Sequence, residues 1–255
     1  MTASPNTNMR SLERAFDVLG VLQIAKQPMR LSEIARAAGL HIATTQRILN
    51  VLLERGFATR SAEAYTAGPA ALAVAHAFMV TNPLGVLAQQ TLQLLASKTS
   101  CTASLYVRVE HTRVVIARVE SGAPLSYVLP VGERLPLHVG SAGKTFLAEL
   151  PAAEVDAILD EVGAITLASG EVVSRADLYA ELEQIRRNGY AVAVSERLFG
   201  IASIVAPVRT SDGVLIAALG ITGPAERLTE EQATALIPEV RRAAATLGSR
   251  LPTVA

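Results

Sequence analysis

Residues Leu31–Phe57, LSEIARAAGLHIATTQRILNVLLERGF, decide how this chain is read. Ser32, just ahead of an apolar-periodic run, is an N-cap candidate whose side-chain oxygen would take a free first-turn amide. Ile34, Ala35 and Ala38 then form one helical face, with small Ala35 where a second helix would cross closely. Gly39 stands where a left-handed residue ends a helix and opens a turn. From about Ile42 a second helix has Thr45, Ile48, Leu49 and Leu52 at i, i+3, i+4, i+7 along an inward face. The opposite face offers Thr44, Gln46, Arg47 and Asn50, short or forked donors suited to base edges and phosphates. Cap, glycine and inward pattern at these offsets predict a helix-turn-helix rather than a helical hairpin packed in a core.

The flanks extend this reading. Ser11–Ile24 has apolar residues at Leu12, Ala15, Phe16, Leu19 and Leu22, a supporting helix. Residues 56–60 and 64–67 are short β-prone runs around a polar turn, which predicts a hairpin. Helix, helix, recognition helix and hairpin make a winged helix-turn-helix. Its candidate DNA contacts are Thr44, Thr45, Gln46, Arg47 and Asn50, with Arg10, Ser32 and Arg60 on the phosphate backbone; Thr45 belongs to this set although its spacing turns it inward. Residues 1–68 hold eight Lys/Arg against five Asp/Glu, a balance of +3, and the remainder holds fifteen against eighteen, −3. That sign suits a domain that approaches phosphates, while a net charge of zero disfavours a chain coated in nucleic acid throughout.

Composition narrows the class. At 255 residues the chain has room for one large domain or two ordinary ones. No apolar run approaches the ~18 residues that span a bilayer, and MTASPNTNMR lacks the apolar core of a signal peptide, so the expectation is a cytoplasmic protein without a membrane partner. A single cysteine, Cys101, excludes an intramolecular disulfide and reads as a buried structural thiol in a strand-like run. Four scattered histidines give no zinc spacing, and no cofactor is expected.

Beyond the wing, Pro69–Val80 (PAALAVAHAFMV) is so apolar that it needs partners on more than one side, which predicts a linker helix that dimerises. His76 within it reads as a packing residue. Helical patterns follow at 84–98, 142–150, 152–160, 174–188 and 229–247, and strand-like runs at 102–109, 113–119, 125–130, 190–195, 202–209 and 214–222. Ser174 with Asp177 is a capping-box-like start, and Ser211-Asp212-Gly213 a hairpin turn. The expectation is an α+β, two-domain chain: residues 1–68 the winged domain, 69–82 the linker helix, and 83–255 a domain of one antiparallel sheet with helices against it.

A further set of motifs runs along nearly the whole chain. It comprises Ser11-Leu12-Glu13-Arg14-Ala15 through Val18-Leu19, Arg47 followed by two aliphatics, Glu54-Arg55-Gly56, and Tyr65 through Gly68. In the second half come LPLH at 135–138, Gly143-Lys144, Gly189-Tyr190, Gly200-Ile201, Ala206-Pro207-Val208 and Gly223-Pro224. In this order they resemble the IclR family of bacterial transcription regulators. The resemblance implies a GAF-like effector domain and dimers, often paired into tetramers, acting as repressors or activators. It also implies that the loop at 138–145 lines the effector pocket. The chain departs from the family at Ile42 and Ala43, where a basic and a hydroxyl residue are usual. An acidic residue of some relatives falls here on Ala193 or Val194, and the pocket cysteine is Ser203.

The loop ends in Gly-Lys-Thr, yet a phosphate loop needs glycine where His138 stands and a strand ahead of it, so nucleotide hydrolysis is disfavoured. Its small residues, Gly140, Ser141 and Ala142, instead offer helix-start amides to an anion. Leu125, Tyr127 and Leu129 share one strand face by period two, as do Ile201 with Ser203 and Gly220 with Thr222. With Ala193 they outline a pocket for a small, aromatic or otherwise hydrophobic carboxylic acid, its carboxylate toward the amides at 141–142. No nucleophile elbow or catalytic set emerges. The leading expectation is a ligand-responsive regulator binding double-stranded operator DNA as a homodimer or homotetramer. The alternative is a small-molecule enzyme or binding protein whose wing serves protein contact.

Overall fold

The computed structural model describes residues 7–121 and 129–251. It divides into two compact units, Met1–Asn82 and Pro83–Ala255.

The first unit starts with helix α1 (Thr7–Ile24) and a two-residue strand β1 (Met29–Arg30). Helices α2 (Leu31–Ala37) and α3 (Ile42–Glu54) follow, then strands β2 (Ala58–Ser61) and β3 (Ala64–Ala67) and helix α4 (Ala70–Thr81). The strands form an antiparallel sheet in the order β1-β3-β2. Val18 and Leu22 of α1, Ile34 of α2, Leu49 and Leu52 of α3 and Tyr65 of β3 close one small core. Gly39 takes φ +64 between α2 and α3, a left-handed turn that a side chain would strain. The start of α2 differs from the sequence expectation. Strand β1 runs straight into the helix, so Ser32 is its exposed second residue, and the amide of the cap residue Arg30 donates to Glu33 Oε2 at 2.7 Å. Ser32 therefore does not cap α2. Along α4 every residue from Ala71 to Thr81 is exposed.

The second unit opens with α5 (Pro83–Thr99) and strands β4 (Thr102–Val109), β5 (Thr112–Val119) and β6 (Arg134–Pro136). Helices α6 (Ser141–Leu147) and α7 (Ala152–Val162) lead to a small hairpin, β7 (Ile165–Thr166) and β8 (Val172–Val173). Then come α8 (Arg175–Asn188), β9 (Ala191–Val194), β10 (Ile201–Arg209), β11 (Leu215–Pro224) and α9 (Glu230–Ser249). Six strands make one antiparallel sheet ordered β6-β5-β4-β11-β10-β9, with helices on both faces, as a GAF-like domain has. Period two divides the side chains. Ala103, Leu105, Ile204, Val208, Ala217, Leu219 and Ile221 meet Leu92 and Leu95 of α5 and Val240 and Leu247 of α9. Tyr106, Val205 and Ala218 turn the other way, toward Leu147 of α6, Leu159 of α7 and Leu182 of α8. Strand β5 breaks this alternation: Tyr106 pairs with Val115 and Leu105 with Ala117, so Ile116 is an extra, bulged residue.

The expected strand at 125–130 lies mostly outside the described residues, and Leu129 and Pro130 are not in a strand. Among the described residues no single helix is long and apolar enough to cross a membrane.

Candidate functional site

In the first unit, α3 presents Ile42, Ala43, Arg47 and Asn50 to solvent. Thr44 is half-buried and, with Arg47, borders a groove between α3 and α1. Thr45 is a correction: it is fully buried, and its hydroxyl donates to the His41 carbonyl at 3.2 Å, as its inward spacing required. It packs the helix and does not read bases. The Gln46 amide donates to Asn50 Oδ1 at 2.9 Å and to the Tyr65 hydroxyl at 3.3 Å, so the recognition helix is tied to the wing. Arg60 stacks over the Tyr65 ring at 5.4 Å and pairs with Glu63, which keeps its charge at the exposed wing. Arg10 on α1 is exposed as well. The bond from helix to wing was missed, because cross-element hydrogen bonds leave no periodic trace in a sequence.

In the second unit the sheet floors a cleft of about 680 Å³, counted out to its open mouth, beneath the start of α6. Strand register lays Ala193, Ser203, Thr222 and Thr102 in one row across β9, β10, β11 and β4. The next row holds Val205, Gly220, Ser104 and Arg118. Ser141 at the first turn of α6 comes down on this floor, its hydroxyl 2.7 Å from that of Ser203. Of the wall residues expected from sequence, Leu129, Gly140, Ser141, Ala142, Ala193, Ile201, Ser203 and Thr222 line the cleft. Leu125 and Tyr127 lie outside the described residues. Gly220 is a correction: it shares the row, but a Val205 methyl lies over the space where its side chain would stand, and it does not reach the cleft.

The chemistry of this cleft comes largely from residues the sequence reading passed over. Arg113 on β5 is 3% exposed yet lines the cleft. Burial, more than any neighbour, lowers its pKa to about 10; Tyr106 and Glu196 oppose the shift and Arg197 adds to it. It remains a cation at neutral pH. One terminal nitrogen of Arg113 donates to the Pro136 carbonyl, but no carboxylate forms an ion pair with it among the described residues. Gly140 and Gly143 make its space: a side-chain carbon at 143 would fall on the guanidinium and on the Leu137 carbonyl. Arg118 also lines the cleft, its side chain 8% exposed, with Glu120 at 3.1 Å and the Leu129 carbonyl at 3.4 Å. The Nε atoms of both arginines are buried without a hydrogen-bond partner among the described residues, and so is Nδ1 of His138. Burial, and then the nearby Arg113 charge, hold the His138 pKa below its ordinary value.

Lys144 explains why the Gly-Lys-Thr run is no phosphate loop. Its ammonium is buried and held by Glu181 of α8 and Glu196 of the loop after β9. Glu196 also accepts the Gly140 amide at 2.8 Å. The Gly140 amide, just ahead of α6, thus already has a resident carboxylate as its partner. Glu196 itself lines the cleft and brings a carboxylate to its wall.

Comparison with known proteins agrees with both halves. Residues 11–62 match the IclR helix-turn-helix domain, and residues 76–249 match the C-terminal domain of the bacterial transcriptional regulator IclR. The acetate operon repressor of Salmonella typhimurium is 28% identical over 247 residues, 95% of this chain and 90% of that one. An IclR transcriptional regulator of Alicyclobacillus acidocaldarius has the same fold, with a TM-score of 0.80 at 22% identity over 94% of this chain and 97% of that one. So does an IclR homologue of Microbacterium hydrocarbonoxydans solved with 4-hydroxybenzoate, with a TM-score of 0.75 at 22% identity over 93% and 97%. A helix-turn-helix unit, a sheet-floored cleft and these matches over nearly the whole length lead to one conclusion: the chain belongs to the IclR family of bacterial transcriptional regulators.

Proposed function

We propose that this regulator binds operator DNA in the cytoplasm as a homodimer or homotetramer and answers to a small carboxylic acid held in the second domain. Residues 1–68 serve as the DNA-binding domain, 69–82 as the linker helix and 83–255 as the sensing and assembly domain. The second domain acts as a sensor, not a catalyst. The observation that carries the acid reading is Arg113, a buried guanidinium that lines the cleft with no carboxylate paired to it among the described residues. An unpaired buried charge is costly, and an incoming carboxylate offsets that cost through charge-assisted hydrogen bonds. The adjoining Ser141, Ser203 and Thr222 hydroxyls suit the polar part of a small acid, and a relative of the same fold was solved with 4-hydroxybenzoate.

On the DNA side, Arg47 and Asn50 lead, Gln46 is steadied by Tyr65, and Arg10, Ser32 and Arg60 take phosphates. Nothing among the described residues favours the enzyme or protein-contact alternative.

The test is a thermal-shift screen of the full chain with aliphatic and aromatic carboxylic acids, beside amines and sugars. An acid at about 100-fold its dissociation constant should add about 2.7 kcal/mol to stability. Stabilisation by amines or sugars and by no acid would overturn the reading.

A further inference from the structure

Two buried guanidiniums from one strand stand on the wall of the cleft. Arg113 and Arg118 line it, and the Glu196 carboxylate beside them is already engaged by Lys144. Glu120, more than half exposed, takes one terminal nitrogen of Arg118 and is screened by solvent.

Arg113 and Arg118 are moreover arranged as two separate poles. Both lie on β5, five residues apart, and strict alternation would put them on opposite faces of the sheet. The bulge at Ile116 cancels that: Ile116 and Ala117 both pack into the α5/α9 core, and Arg118 returns to the face of Arg113. Their Cα atoms are then roughly 13–16 Å apart along the strand. Each guanidinium keeps a buried Nε without a hydrogen-bond partner among the described residues. Between them the floor is polar, with Ser104 opposite Arg118 and the Ser141–Ser203 hydroxyl pair nearby. Buried donors of this kind are nearly always satisfied in a folded protein, so both arginines keep hydrogen-bonding capacity that their present partners leave unused.

We infer that the acid recognised by this cleft is a dicarboxylate, one carboxylate taken by Arg113 and the other by Arg118, with the bulge at Ile116 bringing the second pole into the site. This rests on the carboxylic-acid reading above and narrows it. Arg118 is then the residue that sets specificity between diacids and monoacids of equal length.

The experiment is calorimetric titration of the full-length protein with glutarate and adipate, and with their length-matched monoacids valerate and hexanoate. A diacid should bind at least about tenfold more tightly than its monoacid, as an added charge-assisted contact implies. In Arg118→Gln that ratio should fall to about one, and in Arg118→Lys, which keeps a cation but not the fork, it should lie between the two. Equal binding of diacids and monoacids by the native protein would overturn the two-pole site and leave the acid reading standing. A diacid preference that persists in Arg118→Gln would overturn it as well. Binding of no acid of either kind, with a sugar or amine bound instead, would sink the acid reading itself.

Discussion

Residues decide both recognition events. Arg47 is the exposed forked donor on α3, and Arg47→Ala should cost about 1–3 kcal/mol of operator binding; a gel-shift titration at fixed salt measures it, and undiminished specific binding would remove Arg47 from the reading surface. His138 carries a second residue-level expectation. Its folded-state pKa is lowered by burial and by Arg113, so the unfolded chain binds the proton more readily. Stability should therefore fall as pH drops through the range just below the ordinary histidine value, and this part of the fall should be absent in His138→Gln. Melting temperatures of the two proteins between neutral and mildly acid pH make the comparison, and parallel curves would contradict it. Much at this scale was legible in sequence. Ser203 and Thr222 each sit on a cleft-facing period of their strands, and Ser141 sits where small residues meet a helix start. Arg113 and Arg118 were not legible, because an arginine between aliphatics reads as a surface residue, and only its three-dimensional surroundings show it buried.

Elements were read best where they end in local chemistry. Gly39 closes α2, and Ser174 opens α8 by accepting the Asp177 amide at 3.1 Å, both as the sequence implied. Ser174→Ala should lower stability by about 1 kcal/mol, read by denaturant unfolding. Strands β1, β6, β7 and β8 escaped notice because two or three residues are too few to show a period. The contact between α6 and β5 gives the sharper prediction. Gly143→Ala places a carbon on Arg113 and on the Leu137 carbonyl, and rigid backbone cannot yield as a flexible side chain would. It should destabilise the second unit by about 1–3 kcal/mol and weaken acid binding together with stability, which calorimetry on the folded variant would show. A Gly143→Ala protein with native acid affinity would mean that Arg113 is not the anchor.

At the scale of the whole molecule, exposed apolar surface points to assembly. Leu72, Val74, Phe78 and Val80 on α4 and Leu12 and Phe16 on α1 all face solvent within one chain. So much exposed aliphatic and aromatic surface is characteristic of an interface. The native protein should sediment as a dimer or tetramer at micromolar concentration, and Leu72→Glu with Phe78→Glu should shift it toward monomer and weaken operator binding in parallel. A stable native monomer would refute this. The one-residue bulge in β5 has a consequence for how such regulators diverge. Point substitutions elsewhere in the cleft trim or enlarge a ligand, whereas loss of the single codon for Ile116 would straighten β5 and, by leaving Arg113 and Arg118 four residues apart, keep both on the cleft face. A gene lineage thus keeps its inducer class through that deletion and loses it through the opposite change, since one residue inserted after Ala117 would turn Arg118 into the aliphatic α5/α9 core, where a guanidinium would unfold the sensor before it could sense anything.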